Sequence, residues 1–90
     1  MVRGIRGATT VDGNTKEAIL AATKELFLAV REQNQLYADD VASILITSTP
    51  DLNAAFPAAA IRVLEGWELV PLIGAVEVDV PGGLALCVRM

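Results

Sequence analysis

The clearest secondary-structure pattern in the chain lies in residues 14–35, NTKEAILAATKELFLAVREQNQ. Its apolar residues recur at the spacing of one face of an α-helix. They are Ile19, Ala22, Leu26, Ala29 and Val30. Asn14 can cap the first turn, and Glu17 follows it at the spacing of a capping box. The pattern predicts a long helix over residues 15–34.

Four apolar segments around this helix are typical of strands. They are residues 2–8, 41–49, 68–80 and 84–90. Between the second and third of them, a turn is expected over 51–55 and a short helix over 57–65, where Pro57 suits the start and Gly66 the end. The order predicts a single α+β (mixed α/β) domain, with a mixed sheet packed against one long and one short helix.

The composition bounds the partners of this domain. The chain has 90 residues, 53% of them hydrophobic, and a formal net charge of −4. An acidic chain is a poor ligand for nucleic acid, so no nucleic-acid partner is expected. Two helices can cover only one face of a four-stranded sheet. The apolar excess therefore predicts burial against a partner, most simply a symmetric homo-oligomer.

Missing residue types exclude several kinds of site. The chain has no histidine and one cysteine, Cys87, so Ser-His-Asp and Cys-His catalysis and a histidine-containing zinc site are excluded. Cys87 is expected to pack rather than react. No apolar run is long enough to span a bilayer, and the N-terminus lacks the apolar core of a signal peptide. No membrane partner and a cytoplasmic location are the resulting expectations.

Charged residues inside apolar segments are the candidates for chemistry. Arg6, Arg62 and Arg89 carry planar guanidinium groups suited to bidentate binding of carboxylates. Glu77 lies within the valine-rich run VEVDV. The alternative is that each is an ordinary surface charge that discourages edge-to-edge pairing of sheets. Arg3 and Asp79 are interpreted in that second way.

Several separated motifs carry a resemblance to a known family. RGIRGATTV, TPDLNAAFPA, GWELVP and EVDVPGGLALCVR resemble, in order and spacing, the monofunctional chorismate mutases of the trimeric pseudo-α/β-barrel type (the AroH type). The resemblance covers essentially the whole chain. It implies a homotrimer with active sites between subunits, and rearrangement of chorismate to prephenate on the route to phenylalanine and tyrosine. It implies no cofactor, metal or covalent intermediate.

The same resemblance implies roles for individual residues. Arg6 corresponds to an arginine that binds a substrate carboxylate, Arg89 to one beside the ether oxygen, and Glu77 to the acceptor of a hydrogen bond from the ring hydroxyl. These are the catalytic candidates. The resemblance also implies substrate-binding positions in addition to these three. They are Phe56, Ala58, Ala59, Arg62, Leu72, Ile73 and Gly74.

The chain also departs from the family pattern. Ala59 stands where the family often has a lysine, and Gly74 where some members have a cysteine. On a regular strand Gly74 and Glu77 have opposite parity, so a bulge is expected if both reach one cleft. Family members continue beyond the position of Arg89 with a further strand and tail, and the domain over 1–90 is expected to lack both.

Two other functions are compatible with these motifs. The first alternative is a non-catalytic trimer that binds a small ligand in an incomplete site. The second is an enzyme like the trimeric Rid-type deaminases, whose clefts also lie between subunits. The motifs favour the mutase over the deaminase.

Overall fold

A computed structural model describes residues 1–90 and contains one mixed sheet with helices on one side. Its strands and helices follow in chain order: β1 Ala8–Thr10, α1 Lys16–Asn34, a 3-10 turn Ala38–Asp40, β2 Ile44–Ser48, α2 Ala59–Arg62, β3 Leu72–Val76 and β4 Cys87–Arg89. This confirms the predicted α+β class with one long and one short helix. None of the helices combines the length and the hydropathy needed to cross a membrane.

The strand order in the sheet is β1-β4-β2-β3. β2 and β3 run parallel, with Ile46 opposite Gly74, whereas β4 is antiparallel to both β1 and β2. β4 therefore lies inside the sheet although it comes last in the chain, and Arg89 lies opposite Ala8 on one side and Thr47 on the other. The sheet brings residues from both ends of the sequence together.

Helix α1 confirms the predicted element but not its predicted cap. The side chain of Thr15, not Asn14, accepts a hydrogen bond from the backbone N–H of Ala18 at 3.1 Å. Asn14 instead accepts hydrogen bonds from the backbone N–H groups of Asn53 and Ala54, both at 3.0 Å. The asparagine was mistaken for the cap because its partner lies 39 residues away in sequence.

The core lies between α1 and one face of the sheet. Its largest fully buried side chains include Ile19 and Phe27 of α1, Ile46 of β2 and Val88 of β4. The ring of Phe27 meets that of Trp67 edge to face, with centroids 4.7 Å apart, a favourable geometry for an aromatic pair. The other face has no such cover, since Leu45 and Ile73 are 56% and 58% exposed.

The predicted first strand, residues 2–8, is wrong over most of its length. Strand β1 spans Ala8–Thr10, and the hydrogen bonds between strands reach back only to the pair formed by Gly7 and Met90. No backbone hydrogen bond joins residues 2–6 to a strand, so their β propensity does not place them in the sheet.

The other predicted strands are too long. The prediction 68–80 shortens to β3, Leu72–Val76, because β2 ends at Ser48 and the next segment turns at Pro50. One further bond, from the N–H of Glu77 to the carbonyl of Ser48, extends the pairing. The predictions 41–49 and 84–90 shorten to β2 and β4.

The predicted helix over 57–65 contains only one α-helical turn, Ala59–Arg62. Most of its backbone hydrogen bonds join residues three apart, for example from the N–H of Ala60 to the carbonyl of Pro57. Such tighter turns are usual for short helical segments. They still bury Ile61 completely.

Candidate active site

The candidate site is built around an ion pair between Arg89 of β4 and Glu77, the residue that follows β3. Nε of Arg89 lies 2.5 Å from Oε1 of Glu77, and the two side chains are 47% and 22% exposed. The hydroxyl of Thr47 donates a hydrogen bond to the same carboxylate oxygen at 3.3 Å. Two donors thus fix the carboxylate while both charged groups stay open to solvent.

The sheet register explains how these three side chains meet. Thr47 and Arg89 lie opposite each other on β2 and β4, so their side chains point to the same face. Ile46 and Val88, their neighbours along each strand, are buried under α1 on the opposite face. The ion pair therefore lies on the face of the sheet that α1 leaves open.

A polar groove of about 460 Å³ adjoins this pair. Thr49, Pro50 and Asp51 line one part of it, and Glu77, Arg89 and the segment 78–85 line the rest. We call it the Arg89 groove. Its volume suits a small organic molecule, and its guanidinium group suits an anion.

Asp51 has a structural rather than a free carboxylate in this groove. Its two oxygens accept hydrogen bonds from the backbone N–H of Leu86 at 3.0 and 3.2 Å, and Oδ1 accepts one from the hydroxyl of Thr49 at 2.5 Å. The Thr49 bond, followed by the Leu86 bond, lowers the pKa of Asp51 from its usual value. The carboxylate is thus charged at neutral pH, and both of its oxygens already accept hydrogen bonds.

A second groove, of about 380 Å³, contains most of the other predicted residues. Its lining includes Phe56, Ala58, Ala59 and Arg62 from the α2 region and Leu72 and Gly74 from β3. We call it the Arg62 groove. It is mainly apolar and has one guanidinium group, which suits the body of a small carboxylated ligand.

The two grooves lie on opposite faces of the sheet. Residues 72–76 pair one to one with 44–48, so β3 contains no bulge, and Gly74 and Glu77 do not reach one cleft of this chain. Gly74 consequently shares the α1 face with Ile46, whereas Glu77 contacts Thr47 on the open face. Ile73 also points to the open face.

The predicted site residues are therefore not gathered into one pocket of this chain. Glu77 and Arg89 are together, the Phe56-to-Arg62 group is together with Leu72 and Gly74, and the two sets are separate. Arg6 is exposed and lines neither groove, although the next residue, Gly7, exchanges two backbone hydrogen bonds with Met90. Arg6 thus lies near the end of the strand that carries Arg89.

Comparison with known proteins identifies the family. Residues 2–90 match the family model described as chorismate mutase type I. The chain belongs to that family. This agrees with the open groove that Arg89 lines and with the motifs noted in the sequence.

Named chorismate mutases are similar to the chain over its whole length. Chorismate mutase AroH of Bacillus subtilis is 50% identical over 90 residues, which are 100% of this chain and 71% of that protein. Chorismate mutase AroH of Thermus thermophilus is 48% identical over 91 residues, covering 100% of this chain and 74% of that protein. A chorismate mutase structure from Clostridium thermocellum superposes with a TM-score of 0.93 at 49% identity, covering 98% of this chain and 78% of that one. The chorismate mutase type I fold is therefore present here.

Sequence reasoning missed three residues around the ion pair. Thr47, Thr49 and Asp51 all supply side-chain hydrogen bonds beside Glu77 or Leu86. A signal for Thr47 was present, because it alternates with Ile46 in ILITS and so belongs to the face away from the core. Thr49 and Asp51 had no such signal, since the backbone N–H groups that they bind, those of Cys87 and Leu86, lie more than 30 residues away.

Proposed function

We propose that this chain, a chorismate mutase by family, rearranges chorismate to prephenate in the Arg89 groove, completed by the Arg62 groove of a second copy. The observation that carries the proposal is the ion pair of Arg89 and Glu77 on the open face of the sheet. The named relatives support the choice of reaction. Aromatic amino acid biosynthesis is the corresponding metabolic role.

Arg89 has the central chemical role in this proposal. In the rearrangement one C–O bond breaks while a C–C bond forms within the same molecule, and no group is gained or lost. Negative charge grows on the ether oxygen as the C–O bond lengthens. A guanidinium held beside that oxygen stabilises the transition state more than the ground state, which is what accelerates the step.

Glu77 and Arg6 bind the substrate at its other polar groups. The Glu77 carboxylate, oriented by Thr47 and Arg89, is suited to accept a hydrogen bond from the ring hydroxyl. Arg6 is suited to a carboxylate of the substrate because its guanidinium is exposed and close in sequence to the strand pair at Gly7. Holding the flexible substrate in its compact conformer supplies the rest of the acceleration.

A second copy is needed because the two grooves lie on opposite faces of one sheet. Phe56, Arg62 and their neighbours would meet the substrate from an adjacent subunit in a homotrimer. Exposed apolar side chains support an interface on the open side of the sheet and the segment beyond β3. They are Leu45, Ile73, Val78 and Val80. A cytoplasmic location belongs to the same proposal, and cell fractionation tests it.

The decisive experiment compares wild type with Arg89→Lys in an assay that follows loss of chorismate absorbance. Lysine keeps the charge but lacks the planar guanidinium group that donates two parallel hydrogen bonds. We therefore expect kcat to fall about 10²- to 10³-fold, as for other donors to a developing oxyanion. The free energy of unfolding should change little, because Arg89 is 47% exposed. Arg3→Lys is the matched control, since Arg3 is exposed and has no assigned role.

The outcomes separate the proposed function from its alternative. Turnover by wild type with a large loss in Arg89→Lys supports the mutase site. Equal turnover in the two proteins would refute the role of Arg89. A folded trimer that binds chorismate without converting it would support the non-catalytic ligand-binding alternative instead.

A further inference from the structure

The backbone just before β4 is in an unfavourable conformation. Leu86 has a φ of 50°, and it and Gln35 are the non-glycine residues with positive φ. Side chains with a Cβ disfavour this left-handed region, so the surrounding structure must hold Leu86 in it. Arg89 follows three residues later, which makes this strained residue a determinant of where β4 points its side chains.

Two side chains from the turn after β2 hold the strained residue. Both carboxylate oxygens of Asp51 accept from the N–H of Leu86, at 3.0 and 3.2 Å. The Thr49 hydroxyl accepts from the next backbone N–H, that of Cys87, at 2.9 Å and donates to Asp51 at 2.5 Å. We call Thr49 and Asp51 the β4 clamp.

Pairing of β4 is complete on its β1 side, where Ala8 to Thr10 lie opposite Arg89 to Cys87, and short on its β2 side. β4 has three residues, and its ladder with β2 consists of the pairs Thr47 with Arg89 and Ser48 with Val88. The Arg89 side chain is nearly half exposed, so packing does not fix it. Its direction therefore depends on the course of β4, which the β1 ladder and the backbone before β4 set together. Reacting groups must be held to within a fraction of an ångström.

We propose that Thr49 and Asp51 are positioning residues for Arg89, acting by holding Leu86 in its left-handed conformation so that the guanidinium meets Glu77. This inference rests on the catalytic role proposed above for Arg89. Asp51 does not need to touch the substrate, because the Thr49 hydroxyl and the Leu86 N–H already occupy its oxygens. Cys87 and Val88 are both completely buried, so β4 should stay docked without the clamp.

The test is a double-mutant cycle between the clamp and the strained residue. Asp51→Ala should lower kcat roughly 10- to 100-fold with KM within about twofold, the effect of a small misplacement of a catalytic group. Leu86→Gly in the same chain should recover about tenfold, because glycine takes positive φ without cost. Asp51→Asn, which keeps one acceptor oxygen, should fall between Asp51→Ala and wild type. Asp39→Ala, at an exposed carboxylate before β2, is the matched control.

A second measurement does not depend on turnover. In Asp51→Ala the Leu86 and Cys87 amides should lose protection from hydrogen exchange, and the NMR resonance of the Arg89 Nε–H should shift. Adding Leu86→Gly should move the Arg89 resonance back towards its wild-type position. If Asp51→Ala does not fold, the same measurements on Asp51→Asn decide.

The results distinguish failure of the clamp from failure of the proposed function. An unchanged Arg89 resonance in Asp51→Ala, or a fall in kcat that Leu86→Gly does not recover, would overturn the clamp. If the resonances change as expected but Arg89→Lys retains wild-type turnover, the clamp positions Arg89 as inferred and the catalytic role of Arg89 is what fails.

Discussion

The two faces of the sheet differ in what they contain. Towards α1, Ile46 and Val88 are 1% and 0% exposed and pack into one apolar core. Away from α1, Leu45 and Ile73 remain more than half exposed beside the ion pair of Arg89 and Glu77. The first face supplies the free energy of folding within a single chain. The second contains charged and apolar groups that, in the proposed function, contact the substrate or a second copy of the chain.

The same contrast separates the two candidate grooves. The Arg62 groove is formed by the α2 region and the α1 side of β3, and Ile46 of the core also lines it. The Arg89 groove is formed by turns and by strand ends, and hydrogen bonds rather than apolar packing hold its charged groups. Substitutions in the core under α1 should therefore affect folding, and substitutions in the Arg89 groove should affect chemistry.

The largest effect is expected from Phe27→Ala on the covered face. Phe27 is 1% exposed and packs on Trp67, so its loss leaves a cavity and should reduce the free energy of unfolding by about 3–5 kcal/mol. Urea denaturation followed by Trp67 fluorescence measures this. Leu45→Ala on the open face, at low protein concentration, is the control and should cost less than about 1 kcal/mol, since the side chain is 56% exposed. Equal costs would show that the faces do not differ in this way.

The helix could be predicted from the sequence more accurately than the strands. Helix α1 was predicted to within one residue because its periodicity is local and its apolar stripe meets the core directly. The strand at 2–8 was wrong because a strand needs a partner, and no strand forms backbone hydrogen bonds with residues 2–6. Propensity describes a segment alone, whereas strand boundaries are decided by the neighbouring strand.

Prediction of the candidate site was likewise limited by tertiary contacts. Family motifs brought attention to Glu77 and Arg89, which do form an ion pair. They did not reveal Asp51, which binds Leu86 across 35 positions of sequence. They also could not show that Gly74 and Glu77 point to opposite faces, because that depends on β3 being regular. Arg6 stays a prediction, since it lines neither groove of the single chain.

A subunit-mixing experiment tests whether the two grooves meet only between copies. Ala59→Glu adds a carboxylate to the Arg62 groove at an exposed position and should repel a dianionic substrate. Arg89→Lys inactivates the other groove. If each site takes one groove from each of two neighbouring subunits, unfolding and refolding the two variants together should restore about one quarter of wild-type activity, the share of sites with both grooves intact in a random trimer.

The control for mixing is the same pair of variants combined without the unfolding step, which should stay as inactive as either alone. Sedimentation of the refolded sample checks that trimers have formed. A refolded mixture with no more activity than the separate variants would show that both grooves serve one subunit, or that they never form one site.

The smallest effect is expected from acid, through Asp51 at the boundary between the two regions. Hydrogen bonds from Thr49 and then Leu86 lower the pKa of Asp51 below the usual 3.8, so its folded-state pKa is below its unfolded one. Its contribution to stability is therefore fully present above pH 3.8 and is lost as the pH falls through the folded pKa. The difference in unfolding free energy between wild type and Asp51→Asn should be constant near neutral pH and shrink below pH 3.8. Asp39→Asn gives the background slope, and a wild-type curve parallel to that of Asp51→Asn throughout would mean that the carboxylate charge has no part in holding Leu86.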